Sequence, residues 1–323
     1  MTDILCYGEA MILVAPTEAA ALTALPFCSL SPAGAEFNVA SHLAGLGHRA
    51  GWASALGSDP FAEIILQEAR QRGVDTELVV TDGERPTGVY FKNPTEAGTQ
   101  VFYYRRGSAA SALDARSLMR VTKLQPAVLH TSGITAALSE VSLASTRALV
   151  SERLMAGATI SFDVNYRPAL WKQEEAPEIL LELAQASDIV FVGRDEAEDV
   201  WGVSTLSQIR ELISSPEHLI IKDSDVLAVE YIGDRVVSCR PPRVRIYEAV
   251  GAGDAFAAGW LSAYTQGKCP EQRLRLGHFM ASQALQHPGD LFPVPSPEII
   301  AQVLVADPQD WPDHVVHARG REA

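Results

Sequence analysis

The chain has 323 residues, 47% hydrophobic and 20% charged, enough apolar material for one large or two modest domains and too much for a disordered chain. Its 26 Lys plus Arg against 40 Asp plus Glu give a formal net charge of −14. With no basic run to offset that charge, the balance argues against a nucleic-acid partner but not against a small anionic ligand. Cys6, Cys28, Cys239 and Cys269 are far apart and form no CxxC pair, which argues against a zinc ribbon or a thioredoxin-like site. The opening MTDILCYGEA has no basic stretch leading into an apolar one, and no apolar run reaches the ~18 residues of a membrane span. The expectation is a cytoplasmic protein with no membrane partner.

In chain order, Ile4 to Tyr7 reads as a short apolar strand ending at Gly8. Residues 34–46, GAEFNVASHLAGL, carry apolar side chains at helical spacing, and 47–57 read as a strand between glycines. DPFAEIILQEARQRG (59–73) predicts a helix capped by Asp59, with Pro60 in its first turn and Gly73 as its stop. Residues 10–30 are β-like, and 86–105 read as two strands joined by a polar turn with Asn93, Pro94 and Gly98. These two stretches are expected to pair into a small accessory sheet.

The α/β alternation then resumes. Strands are expected within 126–133, 158–167, 179–193 and 218–225, and a second hairpin at 227–241. Helices are expected at 138–157, ending at Gly157, near 205–213, at 255–267 and at 273–286. Residues 307–323 form a polar, loosely held tail. Repeated strand–helix units predict a three-layer α/β sandwich spanning 1–306.

One run, AVGAGDAFAAGW (249–260), concentrates glycine just before a helical pattern. As a dinucleotide turn it lacks the third glycine of G-x-G-x-x-G and comes late in the chain. No G-x-x-x-x-G-K-[ST] occurs, so a Walker-type site is absent from the sequence. Phosphoryl transfer suits the run better. Gly251 and Gly253 allow close backbone approach, free amides at the helix start suit developing negative charge, and Asp254 can take a hydroxyl proton. The plainer alternative is that Asp254 only caps the helix.

GAGDAFAAG, together with SPAGAEFNVASHLAGLG followed by ASALGSDPFAE, resembles the two signatures of the ribokinase-like (PfkB) carbohydrate kinases. They stand in the family's order, about 210 residues apart, and the resemblance runs from about residue 3 to about 300. It implies a ribokinase-like α/β/α sandwich with a β-lid formed by about 10–30 and 86–107. It further implies Asp254 as general base, Gly251, Ala252 and Gly253 as the anion hole, ATP and Mg²⁺ as cofactors, and a homodimer through the lid.

For the sugar, Leu13 stands where ribokinase itself carries a hydroxyl-binding aspartate, which turns the reading away from ribose and adenosine. Tyr103 and Arg105 alternate in VFYYRRGSAAS and so share a strand face, with Tyr90 on the preceding strand. Arg167, in DVNYRPALW, falls just past a core strand. Two arginines suit a carboxylate, although surface ion pairing would also account for either one. Both stretches resemble the 2-keto-3-deoxygluconate kinases, in which positions matching Gly34, Tyr90, Tyr103, Arg105 and Arg167 contact the sugar acid, with Asn38 near it. Another keto-sugar acid, a ketohexose such as fructose, and a nonenzymatic sugar-binding regulator on the same fold are the alternatives.

Three departures mark the nucleotide side. KDSDVLAV has Lys222 in place but Ser224 and Leu227 where glycines are usual. GRDEAEDVWG keeps Glu196, the expected magnesium-water ligand, but has Gly193 for the usual asparagine. Glu248 and Ala249 replace the usual Asp-Thr ahead of the glycine run. Lys222 and Ser224 are the expected nucleotide contacts beside Gly251 and Gly253.

Overall fold

The computed structural model describes residues 2–18, 20–95, 98–114, 125–306 and 311. Its strands are β1 (Ile4–Tyr7), β2 (Met11–Pro16), β3 (Cys28–Ala33), β4 (Ala50–Gly57), β5 (Val79–Asp82), β6 (Gly88–Thr95), β7 (Gly98–Tyr104), β8 (Val128–Ser132), β9 (Thr159–Asp163), β10 (Ile189–Gly193), β11 (His218–Asp223), β12 (Leu227–Ile232) and β13 (Arg235–Cys239). Its α-helices are α1 (Ala35–Gly45), α2 (Pro60–Arg72), α3 (Gly133–Ala136), α4 (Glu140–Val150), α5 (Ala176–Ala186), α6 (Arg194–Trp201), α7 (Leu206–Leu212), α8 (Ala252–Thr265), α9 (Pro270–Leu285) and α10 (Pro297–Val305).

A nine-stranded sheet runs in the order β13-β12-β11-β10-β9-β8-β1-β4-β5. Every pairing from β11 to β5 is parallel, and β12–β13 form an antiparallel hairpin at one edge. Its inner strands β1, β4, β8 and β10 are buried along their whole length because both faces are covered. Leu5 and Tyr7 of β1 enter one core cluster while Ile4 and Cys6 enter the other, and β10 divides Val190 and Val192 from Ile189 and Phe191 in the same way. Leu149, Leu180, Val200 and Ile209 bring α4–α7 onto the first face. Phe37, Ile65, Phe256 and Trp260 bring α1, α2 and α8 onto the second. The result is the expected three-layer α/β/α sandwich.

Local signals account for the element ends. Asp59 caps α2 by accepting the Ala62 amide at 2.9 Å, and Gly73 ends it in the left-handed region at φ 77°. The helix expected to reach Gly157 stops instead at Val150. Arg153 turns left-handed at φ 50°, and its guanidinium holds Asp188, just ahead of β10, at 2.7 and 2.8 Å. A cross-element ion pair, partly exposed, accompanies this break in the helical pattern. Of the residues beyond 306 only Trp311 is described. It is buried and donates to the Arg240 carbonyl at 2.8 Å, so the tail is not loose at that point.

A second sheet of four strands, ordered β3-β2-β6-β7, stands over one end of the first. It joins the two early β-like stretches through the parallel β2–β6 pair. The chain enters it directly from the carboxyl end of β1. There the parallel sheet reverses its winding, with β4 on one side of β1 and β8 on the other. Crevices at such points are where α/β sheets hold ligands.

Candidate active site

A cavity of about 460 Å³ opens between the two sheets. It is lined by Gly34, Asn38, Tyr90, Tyr103, Arg105, Arg167, Glu196, Lys222, Gly251, Gly253 and Asp254, residues drawn from positions 34 to 254 of the sequence. Ala252 and Ser224 lie outside that lining. Ser224 occupies the turn between β11 and β12 at φ 43°, so this chain takes a left-handed turn there without glycine.

The floor is the start of α8. Gly251 is its N-cap at φ 80°, a left-handed conformation that favours glycine, and an added Cβ would stand 3.0 Å from the Asp290 Cα. The first amides of the helix have no acceptor within the helix, and its dipole adds positive potential where they point. Gly34 serves a similar need at α1, where a Cβ would come within 2.3 Å of the Glu9 carbonyl oxygen.

Asp254 sits in the first turn of α8 and accepts a hydrogen bond from Asn38 Nδ2 at 2.8 Å. The same Nδ2 reaches Asp290 Oδ2 at 3.3 Å, so Asn38 ties two carboxylates together. Burial, then the charges of Asp290 and Asp163, push the Asp254 carboxyl up to about 8, against the lowering effects of Asn38 and Arg167. Burial likewise raises Asp290, opposed by Lys92 and Asn38. A carboxylate whose proton affinity is raised into the neutral range is suited to accept a hydroxyl proton.

Beyond Asp254 lies a mixed cluster at the carboxyl ends of β9, β10 and β11. Lys222 Nζ stands 3.2 Å from Asp163 Oδ2. Burial opposes its charge, but Asp163 and Glu196 hold the ammonium above its usual range. Glu196 Oε2 accepts the Gly193 amide at 2.8 Å, and its other oxygen is 3.7 Å from Arg167 Nη1. Burial raises the Glu196 carboxyl, with Lys222 opposing. Glu196 folds back over position 193, where a Cβ would stand 2.5 Å from Asp195 Oδ1. Glycine at 193 therefore fits this arrangement, and a larger side chain would displace it.

The opposite wall comes from the small sheet. Tyr90 and Tyr103 are cross-strand partners with rings stacked at 5.4 Å, and the Arg105 guanidinium lies 5.9 Å from the Tyr103 ring centre. Arg105 is buried and paired with Glu9, which also accepts from Ser108 Oγ at 2.7 Å. Its Nε has no hydrogen-bond partner among the described residues. Arg167 is half exposed and donates to the Tyr166 carbonyl at 2.9 Å.

Four charged lining residues are absent from the sequence-based set: Glu9, Lys92, Asp163 and Asp290. Glu9 and Asp163 sit at strand carboxyl ends, a position that could have flagged them. Lys92 shares the face of Tyr90 at i, i+2, which was also readable. Asp290 lies in an irregular stretch, HPGDLFPV, with no period to place it.

Residues 1–297 match the model of the pfkB family of carbohydrate kinases. The chain belongs to that family. A 2-dehydro-3-deoxygluconokinase of Bacillus subtilis is 35% identical over 312 residues, covering 94% of this chain and 96% of that one. The crystal structure of a PfkB protein from Polaromonas sp. JS666 superposes with a TM-score of 0.84 at 29% identity, covering 95% of this chain and all of that one. A sugar kinase of Pyrococcus horikoshii solved in complex with ATP shares the fold, with a TM-score of 0.81 at 22% identity over 94% of this chain and 100% of that one. No helix among the described residues of this carbohydrate kinase is long and apolar enough to cross a membrane.

Proposed function

We propose that this pfkB-family kinase phosphorylates the terminal C6 hydroxyl of 2-keto-3-deoxygluconate with ATP and Mg²⁺. The observation that carries the reading is the placement of two arginines, Arg105 and Arg167, on the cavity that holds Asp254. A guanidinium has five donors, so the Glu9 pair leaves Arg105 with N–H groups for a second carboxylate. The tyrosine pair offers a flat apolar surface beside it. A 35% identical relative that bears the name 2-dehydro-3-deoxygluconokinase supports the same substrate.

Residues for the nucleotide are Lys222 and the amides of Gly251, Ala252 and Gly253, with Ser224 at the adjoining turn. Gly251 and Gly253, without side chains, leave their own amides open to an anion, while the Ala252 amide has only a long contact, 3.5 Å, to the Ala249 carbonyl. Glu196 is the candidate magnesium ligand, through water. The donor set fits: Mg²⁺ takes one or two carboxylates and keeps most of its waters, and Asp163 and Glu196 are the hard oxygens here. Bound ATP would supply the phosphoryl group and Mg²⁺ would offset its charge.

Asp254 takes the proton from the C6 hydroxyl, and Asn38 holds its carboxylate in place for that transfer. The amides at the start of α8 stabilise negative charge where the hydroxyl oxygen attacks. The small sheet covers the cavity and excludes water. Its far side leaves Phe102 45% and Tyr104 68% exposed, which supports a homodimer through this sheet. Four free cysteines support a cytoplasmic setting.

A substrate panel with ATP tests the proposal. Turnover of 2-keto-3-deoxygluconate should exceed that of fructose by at least about 10²-fold in kcat/KM, as expected where a site built to pair a charged group meets a substrate lacking it. Turnover of fructose without the sugar acid would overturn the substrate, and preference for an epimeric keto-acid would narrow it differently.

A further inference from the structure

One cation on the cavity wall has no task in the mechanism above. Lys92 follows Tyr90 by two residues on β6, so both side chains turn inward, and Lys92 is only 7% exposed. Its ammonium crosses from the small sheet to the other wall and pairs with Glu248. Glu248 stands three residues before Gly251, and its second carboxylate oxygen accepts the Gly289 amide at 3.3 Å. The next residue, Asp290, lies against Gly251 and is joined to Asp254 through Asn38. Glu248, Asp290 and Asp254 therefore place three carboxylates around the turn that is to receive an anionic phosphoryl group. Lys92 is the cation paired with the first of them and acts on the second.

We infer that Lys92 is a positioning residue for phosphoryl transfer: it ties the loop before Gly251 and the Gly289–Asp290 loop to the small sheet, and offsets the acidic charge that would repel the phosphoryl group. The inference rests on the glycine turn being the phosphoryl site and holds for any sugar acceptor. It also gives the small sheet a part in assembling the catalytic turn, beyond covering it. The unusual Glu248 fits this role, because its side chain meets the lysine while still holding Gly289.

The test uses the full chain with Lys92→Met, Lys92→Arg, Glu248→Gln and the double variant Lys92→Met/Glu248→Gln. Melting temperature, calorimetric affinity for Mg·ATP without sugar, and steady-state kinetics are measured on each. Lys92→Met should lower kcat by about 10²-fold and weaken ATP binding about tenfold while the sugar KM stays within about threefold, the pattern of a displaced catalytic turn. Lys92→Arg should stay within about threefold of the parent kcat, because the charge and its partner remain. Adding Glu248→Gln to Lys92→Met should recover about tenfold in kcat, since the unpaired acid is then gone. Where Lys92→Met does not fold, Glu248→Gln alone decides: with Lys92 left facing the turn, ATP should bind more tightly.

An unchanged kcat in Lys92→Met, a loss confined to sugar KM, or no recovery in the double variant would overturn the inference. So would weaker or unchanged ATP binding by Glu248→Gln. If no sugar is phosphorylated by the parent enzyme, the proposed function fails, while the ordering of ATP affinities still decides the role of Lys92.

Discussion

The cavity wall built by the nine-stranded sheet is acidic and tightly connected, whereas the wall built by the four-stranded sheet is aromatic and basic. On the first, Asp254, Asp290 and Asn38 form one hydrogen-bonded group at the start of a helix buried in the core. On the second, Tyr90, Tyr103 and Arg105 stand at a sheet whose other side is covered at Ile12, Val14 and Val89 but meets solvent at Phe102 and Tyr104. The difference teaches where rigidity is needed. Proton transfer and phosphoryl stabilisation depend on placement within a fraction of an ångström, and the doubly covered parallel sheet supplies it. On the proposed reading, substrate recognition falls to the small sheet, which the Glu9–Arg105 and Lys92–Glu248 pairs and the packing of Ile12, Val14 and Val89 tie to the core.

Breaking the core wall should have the largest effect. Asp254→Asn should lower kcat by about 10³-fold, within the range for loss of a general base, while 2-keto-3-deoxygluconate binding measured by calorimetry stays within about threefold. Unchanged turnover would remove Asp254 from its role and restore the plain helix-capping account of the residue.

On the other wall, selectivity should suffer more than chemistry. Arg105→Ala should lower kcat/KM for the sugar acid by about 10²-fold, and for a neutral ketose by less than about threefold, because only the acid loses a charge-assisted pair. Equal losses would mean that Arg105 serves the fold through Glu9 and not the substrate.

A smaller effect on activity is expected from the outer side of the small sheet. Phe102→Glu should shift the sedimenting species to the 34.8 kDa monomer while leaving Asp254 and its partners untouched. A parent protein that already sediments as a monomer would remove the dimer from the account.

Much of this division was readable in the sequence, for physical reasons. The helix over 59–73 carries its own cap, first-turn proline and stop glycine, and the apolar strands announce a doubly covered sheet. Gly251 and Asp254 fall in a stretch whose small residues serve close backbone approach, while Asn38 stands out only through the family resemblance. What local pattern could not show were interactions across long separations. The Arg153–Asp188 pair just beyond α4, the Lys92–Glu248 pair between sheets and the placement of Asp290 over Gly251 all join residues with no shared period. The departures at 193, 224 and 248 acquire reasons only in three dimensions. Glu196 fills the space over Gly193, Ser224 adopts a left-handed turn without glycine, and Glu248 reaches a lysine.

The most direct test of the central claim is the pH dependence of kcat/KM for the sugar acid at saturating Mg·ATP. Asp254 must be ionised to accept a proton, and burial with its neighbouring carboxylates sets its folded-state value at about 8, well above its ordinary 3.8. The rate constant should therefore rise about tenfold per pH unit from pH 6 and level off above about pH 8. A profile already flat from about pH 5 would contradict a raised Asp254 as the base.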